Sequence, residues 1–109
     1  MKKAKTDNIF NKLPSAKKGE VFEKMISRKG VKIERITSLG QVTPPGRWMK
    51  SRRNEWVILL KGKAKLRFRG TGQILEMKPG NHVFIPAGTS HRVEWTAPSE
   101  KSVWVAVLF

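Results

Sequence analysis

Residues 80–95 read GNHVFIPAGTSHRVEW, and this stretch decides the fold. Gly80 closes a turn after Pro79, a short apolar strand runs to Ile85, and Pro86, which has no N–H to donate, ends its pairing. Gly88 permits the sharp bend that returns the chain, so that His91 turns inward at the start of the next strand. The same grammar extends outward in both directions. Lys63–Arg69 alternates, with Ala64, Leu66 and Phe68 on one side and Lys63, Lys65, Arg67 and Arg69 on the other, as a strand with one wet face does. Strands are also predicted at Val31–Leu39, 55–60, Gln73–Met77, His82–Ile85, His91–Trp95 and Ser102–Phe109. Turn residues separate them at Pro44–Pro45–Gly46, Lys61–Gly62–Lys63 and Gly70–Gly72. Short strands at this spacing define a sandwich or barrel.

Two segments break the alternation. Trp56–Leu60 and Val103–Phe109 are apolar on both faces, so each needs a covering layer outside the barrel. Val21, Phe22, Met25 and Ile26 fall at i, i+1, i+4 and i+5, which predicts a short helix over 19–29 ended by Gly30. Such a helix is too short to stand alone and would cover one of the two strands. A second subunit would cover the other, and a homodimer is expected. The chain divides into a basic N-terminal segment with the helix, residues 1–30, and a barrel, residues 31–109.

Composition limits the function classes. The chain has 109 residues, 39% of them hydrophobic, with four Trp and five Phe, which suits one domain with a modest core. There is no Cys, hence neither a disulfide nor a thiolate metal site. Residues 1–20 are basic and lack an apolar signal core, and no stretch approaches the roughly 20 apolar residues of a membrane span. A cytoplasmic location is expected. Lys and Arg number 23 against 8 Asp and Glu, a formal charge of +15. The basic residues are spread along the chain without a nucleic-acid-binding signature, so a solvated basic surface is the simpler reading and a nucleic-acid-binding module the alternative.

The decisive stretch resembles the second motif of the cupin superfamily: Gly80, Pro86, Gly88 and His91 stand at its spacing. Glu55 and Gly62 match the second half of the first cupin motif. Its first half, His-x-His, is replaced by Met49 and Ser51. The stretches PPGRWM (44–49) and EWVILLKGKAKLRF (55–68) are similar to small single-domain cupins of the conserved-barrel type. The resemblance implies an all-β double-stranded β-helix, or jelly roll. In metal-binding cupins it also implies three His and one Glu around Fe, Mn, Ni or Zn. Here only Glu55 and His91 remain as ligands for such a metal, and no tightly bound cofactor is expected.

Three groups of side chains are candidates for the chemistry. Glu55 and His91, if both face the lumen, would form an acid–base pair without a metal, able to serve isomerisation or epimerisation of a carbonyl compound. The simpler reading is a hydrogen-bonded relic of a metal site. Arg47, Lys50, Arg52 and Arg53 would hold a carboxylate or phosphate at the barrel mouth, with Trp48 stacking on a ring. Their simpler reading is a solvated hairpin. Trp95, Trp104 and Trp56 would line a cavity or fill the core, with Trp95 near the lumen. His82 is read as a strand residue. The leading expectation is a small-molecule-binding cupin with an anionic ligand in a lumen containing Glu55, His91, Met49 and Ser51. The alternative is a cupin enzyme, an isomerase, epimerase or dioxygenase, with or without a metal.

Overall fold

The computed structural model describes residues 2–109. Eight strands follow in chain order: β1 (Val21–Arg28), β2 (Val31–Ser38), β3 (Glu55–Lys61), β4 (Ala64–Phe68), β5 (Ile74–Met77), β6 (His82–Ile85), β7 (His91–Thr96) and β8 (Ser102–Leu108). They form two antiparallel sheets, a five-stranded one in the order β1-β2-β8-β3-β6 and a three-stranded one in the order β5-β4-β7. The last strand is thus inserted between β2 and β3, at the middle of the larger sheet. That position explains why its sequence is apolar on both faces: it has a neighbour on either edge and material on either side.

The core lies between the sheets. Val57, Leu59, Ile85, Trp104 and Ala106 from the larger sheet meet Ala64, Leu66 and Met77 from the smaller one. In β4 the alternation is observed directly, with Ala64 and Leu66 buried and Lys65 and Arg67 exposed. Leu59 and Val103 are completely buried, each contributing about 1.5–3 kcal/mol by leaving water.

Two glycines fix the geometry that the site depends on. Gly62, between β3 and β4, has φ of +90°, and a Cβ there would lie 2.2 Å from Ser102 Oγ and 2.6 Å from Ser102 Cα. No side chain fits where this turn presses on β8. Gly88, with φ of +80°, donates its N–H to the Ser51 carbonyl at 2.8 Å. The β6–β7 turn is thereby tied to the loop before β3, which carries Met49 and Ser51.

The helix expected over 19–29 is instead strand β1. Its residues pair with β2 from Val21↔Thr37 to Arg28↔Val31, and Lys29–Gly30 closes the hairpin with Gly30 at φ +83°. A register shift between Lys24 and Ile26 leaves Met25 outside the ladder. The apolar spacing that would make one stripe on a helix is here divided between two faces, with Phe22 on the inner one and, past the bulge, Ile26 beside Val21 on the outer one. Pairing won over the 3.6-residue period because an isolated helix this short is marginal, while the free edge of β2 offers a full ladder. Glu23 adds a fork-to-fork pair to Arg35, with Nε and Nη2 each 3.0 Å from a carboxylate oxygen.

The outer face of the larger sheet is covered in part by the segment before β1. Arg35 Nη1 donates to the carbonyls of Ile9 at 2.9 Å and Asn11 at 2.7 Å, and Gln41 Nε2 donates to the Ala16 carbonyl at 2.6 Å. Thr37 and Val103, paired on the same face as Arg35, are completely buried. Further along that face lies an apolar row, Ile26, Ile33, Val107, Trp56 and Phe84, in which Ile26 and Phe84 remain exposed.

Candidate functional site

The side chains that face inward between the sheets leave a cavity of about 210 Å³. Its apolar wall includes Ile36, Val57, Ile85, Trp104 and Leu108, and its polar groups are Glu20, Glu34, Lys50, Ser51, Glu55 and His91, with Met49 beside them. Glu55 arrives from the first position of β3, on the same face as Val57 and Leu59. His91 arrives from the first position of β7, in the opposite sheet. The two residues left from the ligand pattern therefore converge on one lumen from opposing walls. No hydrogen bond or ion pair joins them directly among the described residues.

Local structure holds each of them. His91 is 4% exposed, and its Nδ1 lies 3.1 Å from the Thr89 carbonyl oxygen. A carbonyl oxygen only accepts, so Nδ1 carries the proton and Nε2 is left with a lone pair in the neutral ring. The Phe68 ring lies 6.1 Å away and shields one side of the imidazole. Met49 and His91 exchange a reciprocal pair of backbone hydrogen bonds, 2.7 and 2.9 Å. That bridge brings the strand-like stretch before β3 alongside β7. Ser51 Oγ accepts the Arg53 N–H at 3.0 Å.

Burial pushes the Glu55 carboxyl above the usual carboxylate range. The His91 ring opposes that rise and Glu34 reinforces it. Glu20 is also pushed up by burial, against a hydrogen bond from Ser38 Oγ. Trp104 Nε1 donates in turn to Ser38 Oγ at 3.3 Å. A polar chain thus runs from the Trp104 indole through Ser38 to the Glu20 carboxylate.

The structure brings Met49, Ser51, Glu55 and His91 to the cavity together, and Lys50 with them. Arg47 and Arg53 are exposed and do not line it. Trp48 lies outside as well, with the Arg69 and Arg92 guanidinium groups 5.7 and 6.0 Å from its ring. Trp95, expected near the lumen, faces outward with Lys65 Nζ 6.0 Å from its ring. The cause is a bulge. Val93 pairs with Leu66 but Trp95 pairs with Lys65, so the register shift reverses the alternation that would have turned Trp95 inward. Trp104 lines the cavity, whereas Trp56 sits on the outer face with Nε1 3.3 Å from His82 Nδ1.

Glu20 and Glu34 were not singled out in the sequence. Glu34 was legible, since it lies two residues before Ile36 on the inner face of β2. Glu20 was hidden by the helical reading of the segment that it opens.

The donor set does not match the one that metal-binding cupins use. Glu55 and His91 stand where two of its donors belong, Met49 and Ser51 stand in the place of two imidazoles, and no group of three or more His, Cys, Asp or Glu among the described residues converges as a metal site.

Comparison with known proteins agrees with this architecture. The cupin domain family matches residues 40–108, and the chain belongs to the cupin superfamily. A protein of Ralstonia eutropha JMP134, provisionally named a mannose-6-phosphate isomerase, is 41% identical, with a TM-score of 0.91 over 96% of this chain and 97% of that one. An RmlC-like cupin from Desulfovibrio desulfuricans, 19% identical, gives a TM-score of 0.75 over 97% of both chains. A cupin superfamily protein from Desulfitobacterium hafniense DCB-2, 12% identical, gives 0.74 over 89% of this chain and 83% of that one. The last two share the fold alone. No functionally curated protein matches the chain. No helix among the described residues is long and apolar enough to cross a membrane.

Proposed function

We propose that this cupin binds a small organic molecule in the barrel lumen, between Glu55 and His91. The observation that carries this reading is the cavity itself: an apolar-walled space of about 210 Å³ reached by a few convergent polar groups. Glu55 and His91 lie on opposite walls without touching, which leaves room for a molecule to bridge them. An anionic ligand, suggested by the basic residues near the mouth, finds support only in Lys50, because Arg47 and Arg53 do not line the cavity. The test is a ligand screen by thermal shift on the wild type and on Ala106→Leu, which narrows the lumen from its wall. A ligand that stabilises the first and not the second supports the proposal. A ligand that stabilises both equally refutes it.

A second reading is an isomerase-type enzyme. It is favoured by the name of the relative with 41% identity and by the chemistry of the pair. The His91 Nε2 lone pair can take a proton from carbon beside a carbonyl, and a Glu55 carboxyl raised by burial can return one. Solvent deuterium incorporation into sugar phosphates, lost in Glu55→Gln and His91→Ala with folding intact, would support it. Exchange that survives both substitutions would exclude the pair.

The apolar row Ile26, Ile33, Val107, Trp56 and Phe84, exposed at both ends, supports a homodimer, since an apolar strip placed on a two-fold axis is covered by its own copy.

A further inference from the structure

Charge in this molecule is arranged inside out. Of the 8 acidic residues, Glu20, Glu34 and Glu55 line the lumen, whereas of the 23 lysines and arginines only Lys50 does. A chain with formal charge +15 has therefore gathered carboxylates in the one place from which its basic residues are nearly excluded.

The remaining polar atoms of the lumen have the same character. His91 is 4% exposed and commits its Nδ1 proton to the Thr89 carbonyl. In the neutral ring its Nε2 is an acceptor, and it has no hydrogen-bond partner among the described residues. Trp104 Nε1 is spent on Ser38, and the Ser38 hydroxyl proton on Glu20. Glu34 has Lys32 Nζ at 3.7 Å. Neither Glu20 nor Glu55 is in an ion pair among the described residues. The wall thus offers acceptors in excess of donors, and negative charge in excess of positive. Burial disfavours the charged forms of Glu20 and Glu55, and a ligand that brings N–H donors and a positive charge into the cavity favours those forms.

Resting on the reading that the lumen binds a small molecule, we infer that its ligand is a small organic cation: a primary ammonium carried on an apolar body. An ammonium group has three donors and no acceptor, which complements the carboxylates and the His91 Nε2 together. The apolar body fits the wall of Ile36, Val57, Ile85 and Leu108. A neutral alcohol would satisfy acceptors but leave the charge uncompensated, and a carboxylate would face three others.

The experiment is calorimetric titration of the full chain at neutral pH with three probes of one shape: pentylamine, pentanol and pentanoate. Pentylamine is expected to bind at least ten-fold more tightly than pentanol, and pentanoate most weakly. Glu55→Gln should remove most of the preference for the amine over pentanol, and Ala106→Leu should abolish binding of the amine. If pentanol or pentanoate binds as tightly as the amine, and Ala106→Leu abolishes that binding, the cationic ligand is refuted while lumenal binding stands. Binding that persists in Ala106→Leu, or no binding of any probe, overturns both.

Discussion

The two faces of β3 and β8 are built from the same strands and carry opposite solutions to burial. The inner face places Glu55 and Trp104 around a cavity, with Leu59 and Ala106 completely or almost completely buried. The outer face places Trp56 and Val107 in an apolar row whose neighbour Phe84 is 52% exposed. Polar groups are tolerated inside because they gather at a space that a ligand can enter. Apolar groups are tolerated outside because a layer can cover them: the segment held by Arg35 over one part and, in the dimer proposed above, a second copy over the rest. The proposed site is therefore a property of the inner face and the proposed association a property of the outer one.

Mutations separate the two faces in order of effect. Trp104→Ala removes a buried lumen wall and the donor to Ser38, and should cost about 3–5 kcal/mol in urea unfolding. Ile33→Ala on the outer row should cost far less in the monomer; equal losses would break the distinction. Arg35→Ala releases the N-terminal segment and the Glu23 pair, with an expected loss of about 2 kcal/mol and faster proteolysis before β1. Unchanged cleavage there would show that the segment is held by other contacts. Phe84→Glu should shift light scattering from dimer to monomer at micromolar concentration, with the monomer's stability altered by no more than about 0.5 kcal/mol. A wild type that is already monomeric removes the outer-face proposal.

The smallest effect concerns a lumenal carboxyl. Burial raises the Glu20 pKa in the folded state above its unfolded value, so the folded chain binds more protons between the two. The carboxylate therefore lowers stability as pH rises through that window, and the penalty is absent below the ordinary carboxylate range. Glu20→Gln should raise the melting temperature slightly at neutral pH, and the gain should vanish in acid. A gain that persists in acid would assign the effect to packing.

Much of this was legible in the chain. Gly80, Pro86, Gly88 and His91 announced a strand, a turn and an inward histidine, and the β4 alternation named its buried face. Two readings by simple period failed at bulges. In β1 the i, i+1, i+4, i+5 spacing of apolar residues across a bulge made a strand look helical and hid Glu20, and the bulge in β7 turned Trp95 outward. A bulge inserts one residue whose presence depends on the partner strand, so alternation within a single segment cannot locate it.

What the sequence by itself determined was the set of strands and turns, together with the identity of the residues left at the ligand positions, because turn chemistry and alternation are local. Only the tertiary structure decided which charged groups share the lumen. The insertion of β8 between β2 and β3 sets which strands share the inner face, so that Glu34 and Glu55 meet His91 in the cavity while Arg47 and Arg53 stay outside. That choice depends on pairing between distant segments, and no local pattern encodes it.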